Sequence, residues 1–160
     1  MAQKFLVDTN IWVDYFLRRG SSYQSIVEFL SAMNASDSAV LYTASLTVKD
    51  VAYVLAQQMK AEVRAKGKKV TPDVAVAANE VSWGCVRTIR EFGLITSVGQ
   101  TEIWNAFLFK HLHSDLEDDI LLGAGEAIDA DYIVTHDKLL QKHAPGICIS
   151  ATEALERLER

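Results

Sequence analysis

Cysteine and proline are both scarce, at two residues each in a chain of 160. Cys85 and Cys148 are too few for a disulfide framework, and neither has companions at zinc-site spacing. Both are read as reduced thiols of a cytoplasmic protein. With two prolines and no low-complexity run, nothing marks a linker, so one domain over residues 1–160 is expected. No internal repeat is present. Apolar runs are too short and too interrupted to cross a membrane, so no membrane partner is expected. The opening MAQKFLVDTN lacks the long apolar core and small-residue cleavage site of a signal peptide. Basic charge is also lacking: 16 Lys and Arg against 21 Asp and Glu leave a net charge of −5. That excludes coating nucleic acid by bulk charge. It leaves open an enzyme that holds metal with carboxylates, or one that touches nucleic acid through a local patch.

What is present is a globular composition, 49% apolar and 23% charged. Short β-branched or aliphatic runs alternate with longer helical patterns. Lys4–Val7, Val40–Thr43, Leu94–Ser97, Tyr132–Thr135 and Ile147–Ile149 read as strands. The first does not alternate in polarity, which predicts burial on both faces. Ile26, Phe29, Leu30 and Met33 give one apolar helix face. Val51–Lys66 predicts a helix stopped at Gly67, and Thr71-Pro72 opens the next. Thr101 is a candidate cap for a helix to about His111. Ser114-x-x-Glu117 is a capping-box pattern before Ile120–Ile128, and Thr152 starts a closing helix, Ala154–Arg160. Such alternation predicts an α/β fold: three α/β/α layers around a mainly parallel sheet of about five short strands. The carboxyl ends of the strands then share one edge, where ligands bind.

Five aspartates fall at that edge. Asp8 follows the first strand, and Asp137 lies two residues past the strand ending near Thr135. Asp50 falls in the first turn of a helix counted from Thr47. Asp115 and Asp118, three apart, are expected on one face of the helix capped by Ser114. Clustered carboxylates either take up protons or bind a cation. Hard divalent ions prefer oxygen, and Mg²⁺ usually takes one or two direct carboxylates and several waters. Such an ion can activate water and polarise a phosphoryl oxygen, so the cluster suits a nuclease. Each residue has a plainer explanation as well. Asp50 completes a Thr47-x-x-Asp50 cap, Asp115 and Asp118 complement a helix dipole, as does Asp119, and Asp137 makes a turn with Lys138. Asp8 is the hardest to explain this way, because an acid closing a buried strand needs a partner.

The stretch FLVDTNIWVDYF resembles the first motif of the PIN-domain nucleases, an aliphatic strand followed by Asp-Thr-Asn. YTASLTVKDVAYVL resembles their second motif, and DLEDDILLGAGEAIDADYIVTHD their third and fourth. The four occur in order from residue 5 to about 140. The resemblance implies a metal-dependent ribonuclease on a compact α/β/α fold, in many members the toxin of a VapC-like toxin–antitoxin pair. It implies Mg²⁺ or Mn²⁺ as cofactor, RNA as substrate, and an antitoxin and a homodimer as protein partners. Motif by motif, Asp8, Asp50, Asp118 and Asp137 take the catalytic places. Asp8, Asp118 and Asp137, with Asp115, are the implied metal ligands, and Asn10 and Thr135 orient the carboxylates. The chain departs from the pattern in three places. Asp50 stands where Glu is common, His136 where Arg often precedes the last acid, and the segment from Gln57 to Trp83 is longer than in the shortest members.

Lys60, Arg64, Lys66, Lys68 and Lys69 form the clearest basic stretch. Lys66, Lys68 and Lys69 are candidate RNA contacts, and a solvated helix end is the equal alternative. Arg18 and Arg19, a second small basic site, are read as structural or solvent-facing. His111-x-His113 lacks a shared face and a third ligand, so both are read as surface residues. His136 is read as an exposed loop residue. Trp12, Trp83 and Trp104 lie in helical apolar patterns, which favours packing over base stacking. Apolar residues of the Ile11–Leu17 helix are a candidate dimer face. Two rival functions stand beside the nuclease. One is a phosphatase with Asp8 as nucleophile, weakened because Asn10 replaces the expected second acid. The other is a non-catalytic binding module, motivated by Asp50 and His136.

Overall fold

The computed structural model describes residues 2–112 and 115–158. Five strands form one sheet: β1 (Gln3–Val7), β2 (Ala39–Ala44), β3 (Leu94–Thr96), β4 (Tyr132–Val134) and β5 (Cys148–Ile149). Their order is β3-β2-β1-β4-β5, and every pairing is parallel. The chain runs outward from the centre through β2 to β3, then returns to β4 on the other flank of β1. The topological switch point therefore lies between β1 and β4.

Helices cover both faces, as the non-alternating first strand requires. Phe5 and Val7 join one core and Leu6 the other. The first core is closed by α1 (Thr9–Leu17), α2 (Tyr23–Ala35), α3 (Ser45–Ala65), α4 (Pro72–Phe92) and α8 (Ala151–Leu158). The second lies under α5 (Gln100–Phe109), α6 (Leu116–Ala127) and α7 (Lys138–His143). This is the expected three-layer α/β/α arrangement. Ile11, Trp12 and Val13 are buried, and the Trp12 indole N–H donates to Thr43 Oγ1 at 3.2 Å. Ile11, Trp12 and Val13 are thus core, while Tyr15, Phe16 and Leu17, the rest of the candidate dimer face, are only partly buried.

Several helix starts differ from expectation. α3 begins at Ser45, directly after β2, so Asp50 sits in its second turn rather than its first. Thr47 is buried inside the helix and is not its cap. α5 starts from Gly99 rather than Thr101, because the Glu102 side chain accepts from the Gly99 N–H at 2.8 Å. α8 starts at Ala151, its amino end held by a reciprocal Ser150–Glu153 pair. Thr71 caps α4 with Pro72 in the first turn, and Gly67 (φ +70°) takes the left-handed conformation after α3, both as expected. α5 and α6 pack so closely that a Cβ on Gly123 would lie 2.4 Å from the Glu102 carbonyl oxygen. The expected Ser114 cap, His113 and the last residue of the closing helix, Arg160, lie outside the described residues.

Candidate active site

Asp8 is built in by the end of β1. Its N–H continues the sheet by donating to the Val134 carbonyl at 3.0 Å, and its side chain then caps α1 through the Thr9 N–H. The carboxylate is only 9% exposed. Oδ2 accepts from Asn10 Nδ2 and from the Thr135 hydroxyl, each at 2.6 Å. Three donors thus occupy three of about four lone-pair positions, which leaves one on Oδ1. Burial pushes the Asp8 carboxyl above its ordinary range, and nearby Asp137 adds to this; the Thr135, Thr9 and Asn10 bonds pull the other way.

Asn10 and Thr135 tie the two central strand ends together. Asn10 Nδ2 also donates to Thr135 Oγ1, and Asn10 Oδ1 accepts from the His136 N–H at 2.9 Å. Thr135 Oγ1 further accepts from the Asp137 N–H at 3.0 Å. Asp137 caps α7: its Oδ1 accepts from the N–H groups of Leu139 and Leu140 at 2.7 and 3.1 Å. Buried Cys148, at the start of β5, registers the same convergence. Its thiol is pushed up to about 12, first by burial and then by the charges of Asp8, Asp118 and Asp137.

A pocket with an empty volume of about 290 Å³, open mouth included, sits at this edge. Asp8, Thr9, Thr47, Asp50, Glu117 and Asp118 are among its lining residues. Asp8, Asp50 and Asp118 therefore meet across one cavity, as the motifs imply. Asp115 and Asp137 stand at helix starts beside it. Asp115 is itself the cap of α6, accepting from the Glu117 N–H at 2.9 Å, so it lies just ahead of the helix and Asp118 in its first turn. Asp119 is buried and does not line the pocket.

Glu117 escapes the sequence reading, which used it only as the third position of a cap from Ser114. With α6 starting at Leu116, Glu117 turns to the pocket wall. Burial raises its carboxyl first, and Asp50, Asp8 and Asp115 raise it further; Lys49 lowers it. The acid-rich run 115–119 was the available signal. Lys49 was missed as well, and its ammonium pairs with Asp50 at the rim. His136 is half-buried rather than exposed: its Nδ1 lies 3.2 Å from Asp14 Oδ2, and Asp14 also holds Arg19 at 2.7 Å. Lys66, Lys68 and Lys69 are exposed at the far end of α3 and are not part of the pocket.

The all-oxygen donor set fits a hard divalent cation. Among the described residues, no three His, Cys, Asp or Glu side chains stand close enough to hold one ion together. One free lone pair on Asp8, with further carboxylates around it, matches an ion held by one or two carboxylates and water. The four-carboxylate ligand set expected from the motifs is not assembled as such.

The sequence matches the PIN domain profile over residues 4–139. No curated protein matches the chain in sequence. The fold is similar to that of PAE2754 from Pyrobaculum aerophilum, at 14% identity and a TM-score of 0.63 over 99% of this chain and 91% of that one. It is similar to VapBC2 from Rickettsia felis bound to a DNA fragment from their promoter, at 16% identity and TM-score 0.62 over 92% and 98%. It is also similar to Mycobacterium tuberculosis VapC20, a Sarcin-Ricin loop cleaving toxin, at 13% identity and TM-score 0.54 over 86% and 93%. The profile match covers most of the chain and includes every carboxylate that lines the pocket, and by that match the chain belongs to the PIN-domain family.

Proposed function

We propose that this PIN-domain protein is a divalent-cation-dependent ribonuclease and the toxin of a toxin–antitoxin pair. The family carries the coarser part of that reading, a nuclease. The observation that carries it here is the pocket between the carboxyl ends of β1 and β2 and the start of α6, where Asp50, Glu117 and Asp118 meet the buried Asp8 carboxylate. Asp8, with Asp118 or Asp137, would hold Mg²⁺ or Mn²⁺ directly; the other of the two, with Asp50, Asp115 and Glu117, would bind it through water or orient the attacking water. The cation supplies charge to the phosphodiester and acidity to water. Asn10 and Thr135 fix the Asp8 carboxylate so that it need not reorganise on binding. Likeness of fold to VapBC2 and VapC20 supports RNA as substrate and an antitoxin as partner. Trp104 and Phe107 on α5, 72% and 64% exposed, offer apolar area to a protein partner.

The phosphatase alternative loses ground on Asn10. Its amide is engaged by Asp8, Thr135 and the His136 N–H, so nothing at that position can donate and take back a proton. The test is cleavage of a mixed RNA pool with Mg²⁺, with Mn²⁺ and with chelator, beside Asp8→Asn. Metal-dependent cleavage that Asp8→Asn loses is expected. No cleavage by folded protein freed of copurifying inhibitor contradicts the ribonuclease and returns the chain to the binding-module reading.

A further inference from the structure

A second concavity opens beside the carboxylate pocket, between α3 and α4, with an empty volume of about 590 Å³. That volume includes the open mouth. Val48, Ala52 and Val86 line it, Trp83 and Asn79 stand on its α4 wall, and Lys49 is its cation. Trp83 is 61% exposed although tryptophan usually packs away. The two cavities share the opening turns of α3: Leu46, Thr47 and Asp50 face one, Val48, Lys49 and Ala52 the other. Lys49 reaches both, since its ammonium pairs with Asp50 while its side chain stays 68% exposed. Two of its three donors remain for an anion.

We propose that this groove is a nucleotide subsite, in which a base next to the scissile phosphate stacks on Trp83 while Lys49 holds the intervening phosphate. The proposal rests on the ribonuclease reading and names where its substrate lies. The juxtaposition selects the occupant. An apolar slot with an exposed indole suits any base face, a cation at its inner end suits a phosphate, and the adjoining acidic pocket suits the next phosphodiester through a cation. A single RNA strand carries all three groups in that order. The exposed Asn79 amide can meet a base edge, which gives the groove a means of preferring one base.

The test uses Trp104→Phe with Asp8 intact and Ca²⁺ in place of Mg²⁺, so that the site holds a cation without turnover. Trp83 is then the exposed indole, because Trp12 is fully buried. The protein is titrated with a uridine 12-mer and with an abasic ribose-phosphate oligomer of the same length. Quenching by the uridine oligomer but not the abasic one is expected. Trp83→Ala, read by anisotropy of labelled RNA, should weaken binding by about 5- to 150-fold, with Trp83→Phe recovering most of it. Equal response to both oligomers, or RNA affinity unchanged in Trp83→Ala, overturns the subsite. A dimer lost in Trp83→Ala with RNA binding intact assigns the groove to a second copy and also overturns it. Cleavage by the unmutated protein is scored separately. If it cleaves while Trp83→Ala binds normally, only the subsite falls; if it never cleaves yet Trp83 answers to bases, only the nuclease falls.

Discussion

Asp8 makes the site what it is. A buried carboxylate with three hydrogen-bond donors and acidic neighbours is held in a state it would not choose in water. A carboxyl whose folded pKa lies above its unfolded value keeps its proton longer in the folded state, so it costs stability as pH rises through and above the ordinary carboxylate range. Asp8→Asn removes that cost. The melting-temperature difference, variant minus wild type in chelator, should therefore grow from about pH 4 to about pH 8, and Mg²⁺ should close it by stabilising wild type alone. A constant difference across that range would sink this account of Asp8. Thr135→Val keeps the shape but removes a hydroxyl that donates to Asp8 and accepts from the Asp137 N–H. A loss of about 10- to 100-fold in metal affinity by titration is expected. Residues of this kind were legible where strand ends fix them: Asp8 and Asp137 each follow a short apolar run by one or two positions. Glu117 was not, because moving a helix start by one residue rotates its neighbours about the axis. Nor was the half-burial of His136, which depends on Asp14 of another element.

Between elements, geometry is set by close approach. Gly123 lets α6 lie against α5, and α6 carries Glu117 and Asp118 to the pocket. Gly123→Ala would place a Cβ 2.8 Å from the Ala106 nitrogen as well as against the Glu102 carbonyl, both backbone atoms that cannot rotate away. Urea unfolding should show a loss of about 1–3 kcal/mol, and cleavage should fall with it as α6 shifts. Strand existence and order of elements were legible, since five apolar runs and the helical periods between them are local signals. Helix starts were less so. α3 follows β2 without a loop, and no capping side chain announces Ala44. α5 is capped from within by Glu102, so the threonine that looked like a cap already lies inside the helix. Each of these misplacements moved a helix by one or two residues without altering which strand end it served.

At the scale of the molecule, charge is divided. The net charge is −5, yet Arg64, Lys66, Lys68 and Lys69 cluster at the far end of the α3–α4 hairpin. From Asp50 to Lys66 is about 24 Å along α3, at about 1.5 Å per residue. If RNA runs from the pocket along this hairpin, the basic end holds phosphates well away from the cut. Replacing Lys66, Lys68 and Lys69 by Ala should lower the slope of log affinity against log salt by about 2, at about 0.7 per phosphate contact for single strands. The cleavage rate at saturating RNA should stay unchanged. An unaltered slope would make this a solvated helix end. Among the described residues, no helix is long and apolar enough to cross a membrane. The whole arrangement, with acids from the end of β1, the opening turns of α3 and the start of α6 converging on one pocket, rests on one claim: the pocket at Asp8 holds a divalent cation. Anomalous diffraction from crystals soaked in Mn²⁺ tests it most directly. The account predicts a peak in the first coordination shell of Asp8, absent in Asp8→Asn crystals; a fully occupied ion elsewhere, or none at concentrations that support cleavage, would contradict it.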